Sequence, residues 1–227
     1  MREYTRANDF DRIVGRLQTN NVIKLGVGNS ILDVGCGVGE YTWMYLDRFD
    51  PVYGLDPNPK CLAEARKSTD GIKYILGFGE TFKMKRKFDT ISLNNILEHV
   101  DDPIELLKNC KKHLNYGGRI IVQVPNAETP ARKLGVLMGI IPSLNHISDK
   151  ERAFYGHKRT YTSTELYDDC QKADLELVDG GGILYKPLPN DDLWNLYQEK
   201  GEKFIDALLE YGKSRPRDCA CIYTVCE

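Results

Sequence analysis

The segment ILDVGCGVGEYT, Ile31 to Thr42, restricts the fold of this chain more than any other stretch. Ile31 to Val34 is a short apolar run that reads as a buried strand, and the residues from about Glu40 to Arg48 read as a helix. Between them stand Gly35, Cys36, Gly37 and Gly39. Glycine has no side chain to hold a ligand away and tolerates positive φ, so such a strand-to-helix turn lets backbone approach a bound molecule. The spacing is G-x-G-x-G, with Glu40 where the third glycine of a dinucleotide turn would fall, which disfavours pyrophosphate. Asp33, just before the turn, would repel phosphate but suits a cationic group.

The pattern then repeats. Strands are expected at Pro51 to Leu55, Ile72 to Leu76, Phe88 to Leu93 and Arg119 to Val124, with helices at Pro59 to Lys67 and Pro103 to Leu114. Pro59 and Pro103 each stand at a first helical position, where proline loses no needed hydrogen bond. The residues Asn115 to Gly118 supply the turn into the fifth strand. Alternating strands and helices predict an α/β fold with a mostly parallel sheet covered on both faces. An amphipathic helix carrying Phe10, Ile13, Val14 and Leu17 precedes this core, followed by a loop from Asn20 to Asn29.

After Pro125 the regularity stops. The segment 127–162 is too long for a simple connection and reads as a lid or binding insertion, with Thr129 to Leu144 as an amphipathic cover. Beyond it come a helix at Ser163 to Lys172, a strand at Leu175 to Tyr185 whose Gly180, Gly181 and Gly182 suggest a bulge, a helix from Asp191 to Tyr211, and a last strand at Ala220 to Cys226. The whole chain, 1–227, reads as one domain: an N-terminal helical segment (1–28), a core (29–126), the insertion (127–162) and a C-terminal part (163–227).

The motifs LDVGCGVGEYT, YGLDPNP, KFDTISLNNILEHVDDP and YGGRIIVQVPN resemble, in order and spacing, those of class I S-adenosylmethionine-dependent methyltransferases. LEHV followed by D-P is similar to the subgroup containing ubiquinone-biosynthesis O-methyltransferases and many sugar and natural-product enzymes. The resemblance implies a Rossmann-like, doubly wound, seven-stranded sheet with an antiparallel last strand. It implies S-adenosylmethionine as cofactor and S-adenosylhomocysteine as product. Gly35, Cys36 and Gly37 would lie against the methionine part, with Asp33 acting on its ammonium; Asp56 and Pro57 would lie at the ribose, and Gly79 and Glu80 near adenine. Phe78 stands where relatives often carry the aspartate that bonds adenine. Independently of the resemblance, Asp56 can accept from both ribose hydroxyls at a strand end, or form a turn with Pro57 and Asn58.

Methyl transfer from a sulfonium is an in-line displacement, so the protein must align the nucleophile and, for some acceptors, remove a proton. Asn94 is placed to bond the methionine ammonium or to end the fourth strand. His99 and His157 are the candidate bases, His157 first, because YGHKRTYT resembles a G-H-x-R segment after the lid; His99 is also a candidate cofactor contact, and Glu98 is expected to be a structural partner. Tyr155, Lys158, Arg159 and Tyr161 are candidate acceptor contacts, and Tyr185 with Lys186 extends that set. The two adjacent cations favour an anionic polar acceptor: a sugar, sugar nucleotide or phosphorylated metabolite. A phenolic or quinone acceptor, a macromolecular acceptor, and a cofactor-binding module without catalysis stay open as alternatives.

A net charge of -2 disfavours a dedicated nucleic-acid partner. Seven cysteines without a C-x-x-C pair point to free thiols in a reducing cytoplasm, and no metal site is expected. No apolar run matches a membrane span, and MREYTRANDFDRIVGRL lacks a signal-peptide core.

Overall fold

The computed structural model describes residues 9–149 and 151–227; the first eight residues, part of the N-terminal stretch read for a signal peptide, lie outside them. Seven strands, β1 (Ile31–Val34), β2 (Val52–Asp56), β3 (Ile72–Leu76), β4 (Phe88–Asn94), β5 (Leu114–Pro125), β6 (Leu177–Tyr185) and β7 (Cys219–Cys226), form one sheet in the order β3-β2-β1-β4-β5-β7-β6. β1 to β5 run parallel, and β7 is antiparallel to both its neighbours, β5 and β6. The order reverses between β1 and β4, which opens a crevice beyond the carboxyl ends of those strands, the usual ligand position in such sheets.

Among the described residues seven α-helices accompany the sheet: α1 (Asp9–Leu25), α2 (Pro59–Ser68), α3 (Pro103–Lys112), α4 (Pro130–Leu137), α5 (Ser163–Lys172), α6 (Asn190–Lys200) and α7 (Glu202–Gly212). α3 and α5 bury Leu106, Leu107, Leu166 and Cys170 against Leu32, Ile91, Ile120 and Val122 of the sheet. Each fully buried leucine there stabilises the fold by about 1.5–3 kcal/mol relative to exposure. Elsewhere Val22 of α1 packs with Tyr45, Phe49 and Ile121, while Phe10 joins Leu193, Ile205 and Leu208 of α6 and α7. Local signals start the helices. Asn58 accepts from the amide of Lys60 ahead of Pro59, Asp102 accepts from the amide of Glu105 ahead of Pro103, and Thr162 with Glu165 forms a capping box for α5.

The structure departs from the sequence expectation at several element ends. α1 continues through the expected loop to Leu25, because Val22 is fully buried and the Asn21 carboxamide donates to Gln123 Oε1 at 3.1 Å. After the glycine turn comes a 3₁₀ turn, Thr42–Asp47, instead of a helix from Glu40 to Arg48. Thr42 and Tyr45 tie it to the strand ends through Asp33 and Ser92, and the tighter i→i+3 winding fits that short span. The expected helix from Asp191 to Tyr211 is two, parted at Gly201, whose φ of 68° a side chain would strain. The irregularity in β6 lies between Leu177 and Asp179, ahead of the three glycines. Gly181 and Gly182 instead make room for the Tyr223 ring and the Pro216 backbone. The turn Asn115 to Gly118 sits inside the span of β5, where the pairing jumps from Leu114 to Arg119.

Candidate functional site

The glycine turn folds back over β2. The amides of Gly35 and Cys36 both donate to the carbonyl of Leu55, at 2.7 and 3.1 Å. Gly35 and Gly37 have φ values of 80° and 55°, and a Cβ at Gly35 would stand 2.8 Å from Ile96 Cδ1. Asp56, at the end of β2, accepts from the amide of Gly37 through Oδ2 (2.9 Å) and from the amide of Asn58 through Oδ1 (2.8 Å). This one carboxylate fills the turn role read from the sequence and adds a second contact that the sequence did not show. It turns the chain through Pro57, and it holds the glycine turn against the strand end. Burial raises its pKa, opposed by those two amide bonds.

Asp33 is buried beneath the same turn and accepts from Thr42 Oγ1 at 2.6 Å. Burial raises its pKa to about 7, with Thr42 and Ser92 opposing. A buried carboxyl with so weak a hold on its charge favours a nearby cation. The Cys36 sulfur packs over Gly54, where a Cβ would stand 2.8 Å from it. Gly79 lies against Leu106 and gives its carbonyl to Asn109 Nδ2 at 2.9 Å, which fixes the loop carrying Glu80; Phe78 beside it is 63% exposed, a free aromatic face at the rim. The Asn94 side chain belongs to a polar network, donating to the Tyr45 hydroxyl (3.0 Å) and accepting from Gln123 Nε2 (2.5 Å). Asn95, at φ 51°, exchanges two hydrogen bonds with Gln18. The carboxylates of Asp33 and Asp56, gathered at the ends of β1 and β2, fit a ligand with ribose hydroxyls and a cationic amino-acid head.

The second half of the site follows β4. Glu98 is 1% exposed, and neither carboxyl oxygen accepts a hydrogen bond among the described residues. Burial pushes its pKa up to about 8, so it is largely protonated at neutral pH. His99 Nε2 stands 3.8 Å from Glu98 Oε1, and its Nδ1 lies 3.4 Å from the carbonyl of Gly156. The His99 and His157 rings meet edge to face, with centroids 5.0 Å apart, and Tyr155 lies against His157 at 5.7 Å. Burial lowers the pKa of His157, with Glu151 opposing, so its imidazole is neutral at neutral pH and free to accept a proton. Donor atoms of Glu98, His99 and His157 lie within 4.8 Å of one another, a set able to hold a metal ion.

A cavity of about 620 Å³ opens beside this cluster. Glu98, His157 and Arg159 line one side, α4 with Met138 and Ile141 covers another, and Lys186 to Asn190 close it from β6 and α6. Residues of the glycine turn do not line it. Arg132 secures the cover: its guanidinium donates to the carbonyls of Leu144 (2.9 Å) and His146 and pairs with Glu151 at 3.1 Å. Other candidates serve the frame. Lys158 pairs with Asp101 and Arg159 donates to the carbonyls of Leu97 and Asp101, so both brace the LEHV loop. Tyr161 is buried, and its hydroxyl donates to Asp169 at 3.0 Å. Sequence reasoning missed Arg132 and treated Glu98 as a structural partner. Neither carries a local signal, because only the folded cover brings them to one cavity.

The sheet order, the glycine turn and the carboxylate ending β2 define a class I S-adenosylmethionine-dependent methyltransferase. The methyltransferase-domain family profile matches residues 3–179, and the chain belongs to that family. It is 29% identical over 167 residues to a ubiquinone biosynthesis O-methyltransferase of Idiomarina loihiensis, covering 71% of this chain and 67% of the relative. It is 27% identical to the enzyme of the same name from Pseudomonas entomophila, covering 71% and 70%. Among solved structures, a Thermotoga maritima S-adenosylmethionine-dependent methyltransferase described as a possible histamine N-methyltransferase superposes with a TM-score of 0.65 at 20% identity, covering 96% of this chain and 90% of that one. An S-adenosylmethionine-dependent methyltransferase from Mesorhizobium loti gives 0.64 at 15% identity, covering 96% and 98%. These likenesses establish the fold. No helix among the described residues is long and apolar enough to cross a membrane.

Proposed function

We propose that this chain methylates an oxygen or nitrogen atom of a small molecule seated in the cavity under α4, with His157 as the proton acceptor and His99 as its neighbour in the site. The observation that carries this reading is that His157, half-buried and neutral, lines the cavity while its ring packs on His99. S-adenosylmethionine supplies the electrophilic methyl group. On its side of the site, Asp56 and Pro57 hold the ribose, Asp33 and Asn94 stand toward the amino-acid head, the backbone of Gly35, Cys36 and Gly37 gives close approach, and Gly79 and Glu80 border the adenine. On the acceptor side, the cover held by Arg132 narrows the approach, so alignment rather than bond polarisation is the protein's main contribution. The named activity of the curated relatives favours oxygen as the accepting atom.

The test is an acceptor panel with detection of S-adenosylhomocysteine, run on the native protein and on His157→Ala and His99→Ala. With a productive acceptor, His157→Ala should lower kcat by about a hundredfold or more while leaving cofactor affinity unchanged. Full activity in both variants refutes the base assignment, and cofactor binding without turnover of any acceptor returns the chain to a binding module. The donor set of Glu98, His99 and His157 supports a second reading, in which a divalent cation orients the acceptor oxygens. Under that reading activity disappears on treatment with a chelator and returns with added magnesium or zinc; under the first it is indifferent to chelation.

A further inference from the structure

Resting on the reading of the cavity as the acceptor site, we propose that Lys186 is the anion-holding residue of that site, and that the acceptor is amphipathic: an apolar body beneath α4 carrying one ionised oxygen group. The walls set the apolar part. Ala131, Leu134, Met138, Ile140 and Ile141 face the cavity from the cover, and Leu188 faces it from the opposite side. Leu134, Met138 and Ile140 remain 53%, 70% and 68% exposed, a concentration of large apolar side chains about one opening that an apolar ligand body would cover.

The charge on the ligand follows from the fate of the cavity's cations. Arg132 is taken up by two carbonyls and by Glu151. Arg159 is taken up by the carbonyls of Leu97 and Asp101, and Lys158 by Asp101. Lys186 is different. Its amide donates to the carbonyl of Asp218 at 3.0 Å, which fixes the end of β6, and its side chain lines the cavity. Among the described residues no carboxylate lies within ion-pairing distance of its ammonium. Of the two acidic residues lining the same cavity, Glu151 accepts from Arg132 and from Ser148, and Glu98 is held largely protonated by burial. Burial lowers the pKa of Lys186 as well, opposed by Asp11 and Glu151 from beyond ion-pairing distance, so the ammonium has no counter-charge in contact with it. An entering oxyanion supplies that counter-charge, and the apolar walls strengthen the resulting charge-assisted hydrogen bond.

A matched pair of fluorescent probes separates the two halves of this proposal: 1-anilinonaphthalene-8-sulfonate, and its neutral counterpart N-phenyl-1-naphthylamine. Both are titrated into the full chain saturated with S-adenosylhomocysteine, using the native protein, Lys186→Met, Lys186→Arg and the cavity-filling Ala131→Trp, each checked for native circular dichroism. The native protein should bind the sulfonate more tightly than the neutral probe. Lys186→Met should weaken the sulfonate by about ten- to hundredfold and leave the neutral probe within about twofold, while Lys186→Arg keeps the preference. Ala131→Trp should weaken both. Equal affinity for the two probes in the native protein, or equal losses in Lys186→Met, overturns the role of Lys186 and leaves the cavity as acceptor site. Failure of the native protein to bind either probe overturns the amphipathic character of the ligand. Unchanged binding of both probes to Ala131→Trp places them outside the cavity and removes this inference; loss of methyl transfer in that variant then separately decides the acceptor-site reading.

Discussion

Replacing Glu98 by glutamine should change how the stability of this protein depends on pH. The carboxyl is 1% exposed, accepts no hydrogen bond among the described residues, and has its pKa raised from the ordinary 4.5 to about 8 by burial. Between those values the folded chain holds a proton that the unfolded chain has released, so stability falls as pH rises. The contribution is complete below about pH 4.5, declines through the interval, and is gone above about pH 8. At about 1.36 kcal/mol for each tenfold change in acid strength, the full loss is about 4–5 kcal/mol. Glutamine has nearly the same shape and does not titrate. The difference in unfolding free energy, Glu98→Gln minus native, should therefore rise by about 4–5 kcal/mol from about pH 4.5 to about pH 8, in favour of the variant. Other titrating groups, among them Asp33 and His157, are common to both proteins and largely cancel in the difference. Urea unfolding at a series of pH values measures it. A difference that stays constant within about 0.5 kcal/mol across that range would refute the claim that the buried carboxyl is held neutral by its surroundings.

Two further outcomes are expected. Asp56→Asn should lower S-adenosylmethionine affinity by at least about tenfold in calorimetric titration, because one of the amide bonds from Gly37 and Asn58 is lost and an amide group is left facing a donor; unaltered affinity would sink the ribose and turn assignment. Arg132→Ala should release the cover, raising hydrogen exchange at Leu144, Asn145 and His146 and raising KM for the acceptor with cofactor affinity unchanged; exchange indistinguishable from the native protein would show that the latch is not made by Arg132.

The glycine turn and the carboxylate closing β2 were legible in the sequence because their parts are local. A strand, three glycines at alternate positions and an acidic residue closing the next strand lie within Ile31 to Asp56, and parallel pairing of Asp33 with Gly54 brings the two strand ends together in any sheet of this connectivity. The helix starts at Pro59, Pro103 and Thr162 were equally local, each with its own cap. Element ends were less legible. α1 runs past the expected loop because of the burial of Val22, and the helix after the glycine turn winds as 3₁₀ because Thr42 and Tyr45 are held by distant strand ends.

The surroundings of the cavity under α4 were visible only as candidate residues. Sequence placed Lys158 and Arg159 together and read an anion site from their charges; the fold commits both to the LEHV loop and leaves Lys186, from the end of β6, with no carboxylate partner in the cavity. Glu98 looked structural because an isolated carboxyl in a motif reveals nothing of its burial, which arises where the loop after β4 meets the Gly156 to Arg159 segment. By itself, then, the sequence determined the sheet, the glycine turn and the methyl donor, since these depend on residues whose spacing along the chain dictates their spacing in space. Only the tertiary structure decided which charges face the cavity under α4, because a side chain's charge is available to a ligand only after every neighbour the fold brings to it has taken its share.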